Sequence, residues 1–458
     1  MELTGWKNGI ERARAFFVGY PFFILETLAA CLFVITGKEV TGVLFFSALI
    51  CFFLVFCEDV LSTTLPFFLA CTIATNCYDS YHIFMPTAKY APVVLACLAC
   101  RLTVYKKQFF LGGRSGKGLL AVSLAVTLGG IGRFSPVEYV YGAYYVLGLG
   151  LGMYFAYLLM LSEFSVRRLH DLKQKFSVVM TLMGTVCVVM IAFGYYRFQK
   201  GEIPRLYPEG FSRNNLSTLL MFAMPFPLLF TEERPYTIIA TVAFYAAIAV
   251  STSRGGLLFG GVELLVCFAY WILSAKGKAR KVRLIAFFSL LSTFVLLFGK
   301  TVYGVVVDRL SEVSDFKKDA RWIMLLQAFD RFTKSPVSGY GILDRTIEYE
   351  IIRKKGALTW YHMMIPQIVG SMGLIGVGAY SYQFYGRVRL IFERKNGWST
   401  VLGISYLGVL MMSQVNPGEF CPLPFGLLTV LLFVFQEIRL TRYNRPLYKH
   451  KINYGYPS

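Results

Sequence analysis

Arg254 lies in the stretch STSRGGLLFGG, between hydroxyl-bearing residues and an apolar run. Arginine keeps its charge in a partly dehydrated environment, and its planar guanidinium can bind two phosphate oxygens at once. Gly255 and Gly256 leave room for a bulky anion or another helix to approach the backbone, and Gly256 and Gly260 have the spacing that favours close helix packing. Two interpretations of Arg254 follow: it binds an anion, or it snorkels to the membrane surface at the start of a helix.

His362 follows the stretch ALTWY and precedes an apolar segment. An imidazole at a membrane edge can accept a proton near neutral pH. The alternative is an interfacial ring beside Trp360 and Tyr361, as part of an aromatic belt. No second His, Cys or carboxylate stands at ligand spacing from His362 in the sequence, so we expect no metal site and no other cofactor.

Other chemical motifs have little support. The sequence contains no GxxxxGK[ST] and no GxSxG, so nucleotide hydrolysis and lipase chemistry are not indicated. Cys97 and Cys100 form a CxxC that has no strand-helix context, which favours small buried residues of a helix over a redox or metal site.

The segments that must position these residues are apolar. Of the 458 residues, 56% are hydrophobic and 16% are charged, whereas a soluble domain carries about 25% charged residues. The net charge of +20 could suggest a nucleic-acid partner, but the basic residues lie in short clusters between apolar runs. We therefore expect a polytopic integral membrane protein in a lipid bilayer, with no nucleic-acid partner.

Apolar segments that are long enough, or nearly so, to cross about 30 Å of hydrocarbon recur along the chain. We predict an all-α fold of about 12–14 transmembrane helices in a single integral membrane domain, residues 1–458, with one large external loop, residues 300–361. The predicted segments are 15–36, 41–57, 64–77, 90–104, 118–132, 137–161, 177–195, 216–231, 236–252, 255–273, 284–299, 363–384, 399–414 and 422–437.

Lysine and arginine are concentrated in both tails and in alternate connections such as AKGKARKVR. Short cytoplasmic connections carry an excess of positive charge, whereas long loops have little influence on insertion. The distribution predicts that both termini are cytosolic and that the loop 300–361 faces outward. It also places Arg254 on the outer face, where insertion does not require a cation.

Three blocks of the chain, STSRGG, DARWIMLLQAFDRFTKSPVSGYGI and WYHMMIPQIVGSMGLIGVG, resemble successive blocks of the O-antigen ligase/O-antigen polymerase superfamily. The outer segment FSRNNLSTLLMFAMP is similar to the family's Asn-containing entry to a span. The resemblance covers about residues 200–380. The matching residues are Asn214 or Asn215, Arg254, Arg321, Trp322, Pro336, Gly339, Gly341, His362, Gln367, Gly373 and Gly376.

Two positions depart from the family pattern. Met363 stands where the family has Asn after the histidine, and Ser371 stands where it has Glu. No acid or base role is therefore transferred from that Glu to this chain.

The resemblance implies a helical membrane fold like that of the C-type glycosyltransferases. It also implies transfer of an oligosaccharide from an undecaprenyl-diphosphate carrier to a glycan, lipid or protein-linked acceptor, at the outer face of the bacterial cytoplasmic (inner) membrane. By resemblance and by chemistry, Arg254 and Arg321 are expected to bind the diphosphate, with Arg213 as a further candidate. His362 is expected to take the proton from the acceptor hydroxyl, or to orient it, in an inverting displacement. The residues expected to support the site are Ser253, Gly255, Gly256, Asn214, Asn215, Trp322 and Gln367.

The alternative function is a lipid-linked oligosaccharide flippase or another polytopic transporter. Transporters tend to show inverted repeats and broken helices that meet near the bilayer midplane, whereas the polar residues here concentrate in an outer loop and the two halves do not look alike. Within transfer, polymerases and ligases use the same donor chemistry, and both stay open.

Overall fold

The computed structural model describes residues 13, 15–57, 60–75, 89–105, 113–130, 146–165, 169–202, 213–311, 320–342, 361, 363–393, 395–416 and 418–444. These residues form α-helices and short 3-10 or π segments, with no β-strand among them. The helices are α1 Tyr20–Ile35, α2 Glu39–Phe56, α3 Leu61–Thr75, α4 Ala91–Val104, α5 Arg114–Gly130, α6 Leu151–Ser165, α7 Leu169–Gln199, α8 Arg213–Ala223, α9 Ile238–Val250, α10 Arg254–Ser274, α11 Gly277–Ser311, α12 Ala320–Lys334, α13 Met364–Glu393, α14 Gly397–Met412 and α15 Leu427–Asn444.

The helices coincide with the predicted apolar segments. Each predicted segment overlaps one of α1–α11 or α13–α15. Four described helices are both long and apolar enough to cross a membrane: α2, Asp171–Gln199 within α7, α10 and α13. Shorter apolar helices accompany them, and a helix satisfies its own backbone polar groups as hydrocarbon demands. The prediction of an all-α polytopic membrane protein is confirmed.

Several helix boundaries differ from the predicted segments, including those of the segment 216–231 and of the loop 300–361. The segment 216–231 is divided, because α8 ends at Ala223 and a 3-10 segment, Phe226–Phe230, follows. Pro225 and Pro227 lack the backbone N–H that would continue the helix. α11 extends to Ser311, so the beginning of the predicted loop 300–361 continues that helix.

An aromatic cluster at the beginning of α14 joins that helix to α7 and α15. The ring of Phe176 lies 5.4 Å from that of Phe226 and 4.7 Å from that of Phe435, and Trp398 lies 6.0 Å from Phe435. Aromatic pairs at such distances contribute about 0.5–1.5 kcal/mol beyond the burial of their area. The cluster fixes α14, whose other end contributes to the candidate site.

α5 and α13 lie antiparallel in direct contact. Arg114, the first residue of α5, forms an ion pair with Glu393, the last residue of α13. Near the other end of α5, a Cβ atom on Gly129 would lie 2.6 Å from Cγ of Met372. The two helices therefore run side by side along the whole of α5.

α13 is broken at Gly373, which has φ 56° and ψ −147°. A turn, residues 336–341, binds at this break: the N–H groups of the two residues after Gly373 donate to carbonyls of the turn, and two N–H groups of the turn donate to carbonyls before Gly373. The turn thereby satisfies backbone groups that lose their helical partners at the break. The donor–acceptor pairs are Leu374–Pro336, Ile375–Val337, Tyr340–Gly370 and Gly341–Ser371, at 2.8, 3.1, 3.0 and 2.9 Å.

Candidate functional site

The corner between α9 and α10 holds Arg254 as the first residue of α10, with its side chain exposed. Ser253 is the N-cap, because its Oγ accepts a hydrogen bond from the Gly256 N–H at 3.1 Å. Thr252 has φ 56°, a left-handed conformation that costs a non-glycine residue about 1–3 kcal/mol. The corner is therefore a strained turn held by a capped helix.

The first turn of α8 is tied to this corner by two side-chain hydrogen bonds. Asn214 Oδ1 accepts from Ser253 Oγ at 2.7 Å, and Arg213 Nη1 donates to Thr252 Oγ1 at 3.1 Å. The structure thus brings together Arg213, Asn214 and the residues around Arg254, which lie far apart in the sequence.

The two glycines after Arg254 make close contact with α8 and with the segment that follows α14. A Cβ atom on Gly256 would lie 2.7 Å from Cβ of Ser217, and one on Gly255 would lie 2.6 Å from Cγ2 of Val415. Of the two expected reasons for these glycines, an anion or another helix close to their backbone, the structure shows close packing against side chains of neighbouring segments.

Residues 413–416, which follow α14, complete this end of the bundle and were not predicted as part of a site. Asn416 Nδ2 donates to Asn215 Oδ1 at 3.1 Å, across 201 positions of the chain. The carbonyl of Ser413 accepts from the Met364 N–H at 2.8 Å. The segment therefore joins the α8–α10 corner to the beginning of α13. The stretch SQVN, which places three polar residues at the end of an apolar run, was the available signal in the sequence.

His362 lies outside the described residues, whereas the residue before it is described. The N–H of Tyr361 donates to Gln367 Oε1 at 3.2 Å, and Gln367 Nε2 donates to Ser371 Oγ at 2.7 Å. Tyr361, Gln367 and Ser371 are all buried. Ser371, which stands where the family has Glu, thus accepts the hydrogen bond that orients Gln367.

α12 covers Tyr361 with one of its faces. Met324 and Ala328 pack with Tyr361 in a small buried cluster. Arg321 lies three positions before Met324, so it adjoins the same face of the helix, and its side chain is exposed. Trp322 is exposed on the other side of α12.

The three predicted arginines all lie in first turns of helices. Arg213 begins α8, Arg254 begins α10, and Arg321 is the second residue of α12. These first turns contain no acidic residue. A helix N-terminus carries partial positive charge and N–H groups without helical partners, so it attracts anions together with the arginines. The arrangement is suited to binding a phosphate or another polyanion.

The described contacts place these arginines in two connected groups. Arg213 and Arg254 belong to the α8–α10 corner, and Arg321 belongs to the group formed by α12 and Tyr361. Met364, three positions after Tyr361, links the groups through its bond to Ser413. Within the described part of the chain, no cluster of three or more His, Cys, Asp or Glu could hold a metal ion.

Comparison with known families agrees with the blocks identified in the sequence. Residues 239–381 match the family described as O-antigen ligase. The matched region includes the corner at Arg254, α12 with Arg321, and the broken part of α13, and it ends before residues 413–416. No curated protein and no solved structure matches the chain. The predicted resemblance is confirmed for this region.

Proposed function

We propose that this chain, of O-antigen ligase type through residues 239–381, transfers an oligosaccharide from undecaprenyl diphosphate to an acceptor hydroxyl. The family match supports a membrane glycosyltransferase in general, and the donor and the residue roles are our proposal. The acceptor is a sugar of a glycan, or a lipid- or protein-linked group. Its oxygen forms a bond to the anomeric carbon, the bond from that carbon to the diphosphate oxygen breaks, and the configuration inverts.

The arginines in the helix first turns carry this proposal. As the glycosidic bond breaks, negative charge builds on the leaving diphosphate, and fixed cations together with helix N-termini stabilise that charge. We assign Arg254 and Arg321 to the diphosphate oxygens, and Arg213, whose guanidinium is held by Thr252, as a third contact. The guanidinium suits this task because it stays charged and can bind two oxygens at once.

The proton of the acceptor hydroxyl is assigned to His362. An imidazole can take this proton as the new bond forms, and a positioned base of this kind contributes about 10²–10⁴-fold to a rate. The hydrogen bonds from Tyr361 to Gln367 and from Gln367 to Ser371 fix the backbone of the residue directly before His362. Gln367 is therefore proposed as a positioning residue.

We further propose that the end of the bundle with Arg254 faces outward from the bacterial cytoplasmic membrane and that both termini are cytosolic. The basic residues that follow α10 support this orientation. Lys276, Arg280 and Lys281 follow the end of α10 opposite to Arg254, and cytoplasmic connections carry an excess of basic residues.

The test uses purified protein in vesicles, with a lipid-diphosphate-linked oligosaccharide as donor and the matching glycan as acceptor. His362→Ala is expected to lower the rate about 10²–10⁴-fold, and Arg254→Ala about 10²–10³-fold. Lys276→Ala, a cation removed at the other end of α10, is the matched control and should keep full activity. Full activity of a correctly inserted His362→Ala or Arg254→Ala variant would refute the assigned roles.

The products that accumulate in a deletion strain distinguish a polymerase from a ligase, the two activities that this chemistry allows. Loss of a polymerase leaves single repeat units on the lipid carrier. Loss of a ligase leaves long chains that are not attached to their acceptor.

A further inference from the structure

The face of α12 that points away from Tyr361 carries an exposed apolar stripe. Trp322, Leu326 and Phe329 are 42%, 52% and 53% exposed. Their spacing of four and then three residues places them on one side of the helix. The opposite side carries Met324 and Ala328, which pack with Tyr361. α12 therefore has one apolar face on the protein and a second that the described part of the chain does not cover.

The depth of α12 in the membrane follows from the helices around it. α5 begins at the ion pair between Arg114 and Glu393, and α14 begins at Gly397, shortly after Glu393. α5 has 17 residues and α14 has 16, so each rises about 25 Å from this common level. Their far ends consequently lie at one level of the helix bundle, where we place a membrane boundary.

The first segment of α13, residues 364–372, connects these two far ends. Met364 binds Ser413 at the end of α14, and Met372 contacts Gly129 at the end of α5. The segment therefore runs along the membrane boundary rather than across it. α12 lies beside this segment in the opposite direction, because Met324 is near Tyr361 and the turn 336–341 is bound at Gly373. α12 thus lies in the plane of the boundary.

We propose that the stripe Trp322, Leu326 and Phe329 is inserted among the phospholipids of the leaflet at this boundary. The turn after α12 continues a surface that faces lipid: Val337 is 59% exposed, and its carbonyl binds the N–H of Ile375, an exposed residue at the start of the long membrane-crossing part of α13. Amphipathic helices with a tryptophan in such a position lie in the interface with their apolar face buried about 5–10 Å.

This anchoring goes beyond the transfer reaction, because it concerns how the protein holds α12 against the bilayer. Arg321 precedes Trp322 in the same helix turn. An inserted Trp322 keeps the Arg321 guanidinium at the depth of the lipid headgroups, where the phosphates of any lipid-linked donor also lie. Trp322 was expected to support the site, and we assign it the role of a membrane anchor for α12.

Fluorescence quenching in reconstituted vesicles tests the insertion directly. The emission of Trp322 is obtained as the difference between the unchanged protein and Trp322→Phe. The vesicles contain phosphatidylcholine brominated either near the headgroup or near the chain end, and they contain no polyprenyl lipid. We expect the headgroup-side bromines to quench the Trp322 emission more strongly than the chain-end bromines, and aqueous iodide to quench it little.

Two further variants give the test a matched control. Leu326→Glu places a charge in the stripe and should raise iodide quenching of Trp322, whereas Lys334→Gln, on the polar side of α12, should leave both quenching patterns unchanged. Quenching by iodide and not by bromine would show that the stripe faces water. Quenching by neither would show that protein, such as a second copy of the chain, covers it. Either result overturns the proposal, and neither depends on transferase activity.

Discussion

Ser253 Oγ donates a 2.7 Å hydrogen bond to Asn214 Oδ1 and accepts one from the Gly256 N–H. A single hydroxyl therefore caps α10 and holds the first turn of α8 against it. As a result, Arg213 and Arg254 are attached to one rigid corner, because they are the first residues of these two helices. Rigid placement matters for anion binding, because pre-oriented groups do not have to reorganise when charge develops.

Asn214→Asp should separate the stability of this corner from its affinity for an anion. The carboxylate has the shape of the amide and still accepts the bond from Ser253, and a negative charge in the first turn of α8 stabilises that helix by about 0.3–1 kcal/mol. The same charge repels a diphosphate, so we expect the KM for the donor to rise about tenfold, equivalent to about 1.4 kcal/mol. Donor titration and thermal unfolding measure the two effects.

The control for this substitution is Asn396→Asp at the N-cap of α14, where Asn396 Oδ1 accepts from the Ser399 N–H. Aspartate caps a helix as well as asparagine does, so stability and the donor KM should both be preserved. An unchanged donor KM in Asn214→Asp would contradict an anion site at the corner.

Gly373→Ala and Gly339→Ala should prevent the turn 336–341 from binding at the break in α13. A Cβ atom on Gly373 would lie 2.4 Å from the carbonyl oxygen of Pro336, and one on Gly339 would lie 2.3 Å from the carbonyl carbon of Ser371. Both residues also have positive φ, which adds about 1–3 kcal/mol for a non-glycine residue. We expect a clear loss of thermal stability in detergent, together with loss of transfer.

Gly378→Ala is the matched control in the same helix, because its Cβ atom would have no neighbour within 4 Å. It should be neutral or stabilising by about 0.5–1 kcal/mol. Equal unfolding temperatures for Gly373→Ala and Gly378→Ala would show that the turn does not depend on the left-handed glycine.

Much of the helical architecture could be predicted from the sequence, because the bilayer imposes a length and a polarity on every spanning segment. The apolar runs predict the helices. The three sequence blocks that contain Arg254, Arg321 and Gln367 predict most of the candidate site. The division of the predicted segment 216–231 could also have been predicted, since Pro225 and Pro227 interrupt a helix.

The parts that could not be predicted depend on contacts between distant positions. Gly373 resembles the small residues that pack helices, and only the bound turn 336–341 shows that it breaks α13. Asn416 carries no charge, and its partner Asn215 lies 201 positions away. No local pattern encodes such pairs, because each partner alone is compatible with an ordinary loop.

Gln367→Ala should lower kcat while leaving the donor KM unchanged. The substitution removes the acceptor for the Tyr361 N–H and the donor to Ser371 Oγ, so the backbone before His362 loses its fixed position. Each lost bond costs about 0.5–1.5 kcal/mol of stability. Because Ser371→Ala removes the same pair from the other side, the effects of the two substitutions should not add in the double variant.

The control for Gln367 is Gln436→Ala, which removes another buried glutamine that donates to a backbone carbonyl, that of Ser399. Gln436→Ala should lower the free energy of unfolding by an amount similar to that for Gln367→Ala. It should leave kcat of the remaining folded protein unchanged. A parallel fall of kcat in both variants would indicate a general effect of packing rather than positioning next to His362.

Arg101→Met should destabilise the protein by about 3–5 kcal/mol, because it removes the buried cation that forms an ion pair with Glu163. Arg101 on α4 forms a two-pronged ion pair with Glu163 on α6, at 2.8 and 3.0 Å, and it also donates to the carbonyl of Cys57 at 2.6 Å. Both side chains are almost fully buried.

Thermal unfolding in detergent should show the loss of stability. The double variant Arg101→Met/Glu163→Met should recover a large part of it, since a buried ion pair can be replaced by apolar residues at little cost. A double variant as unstable as Arg101→Met would show that the bond to Cys57, not the ion pair, dominates.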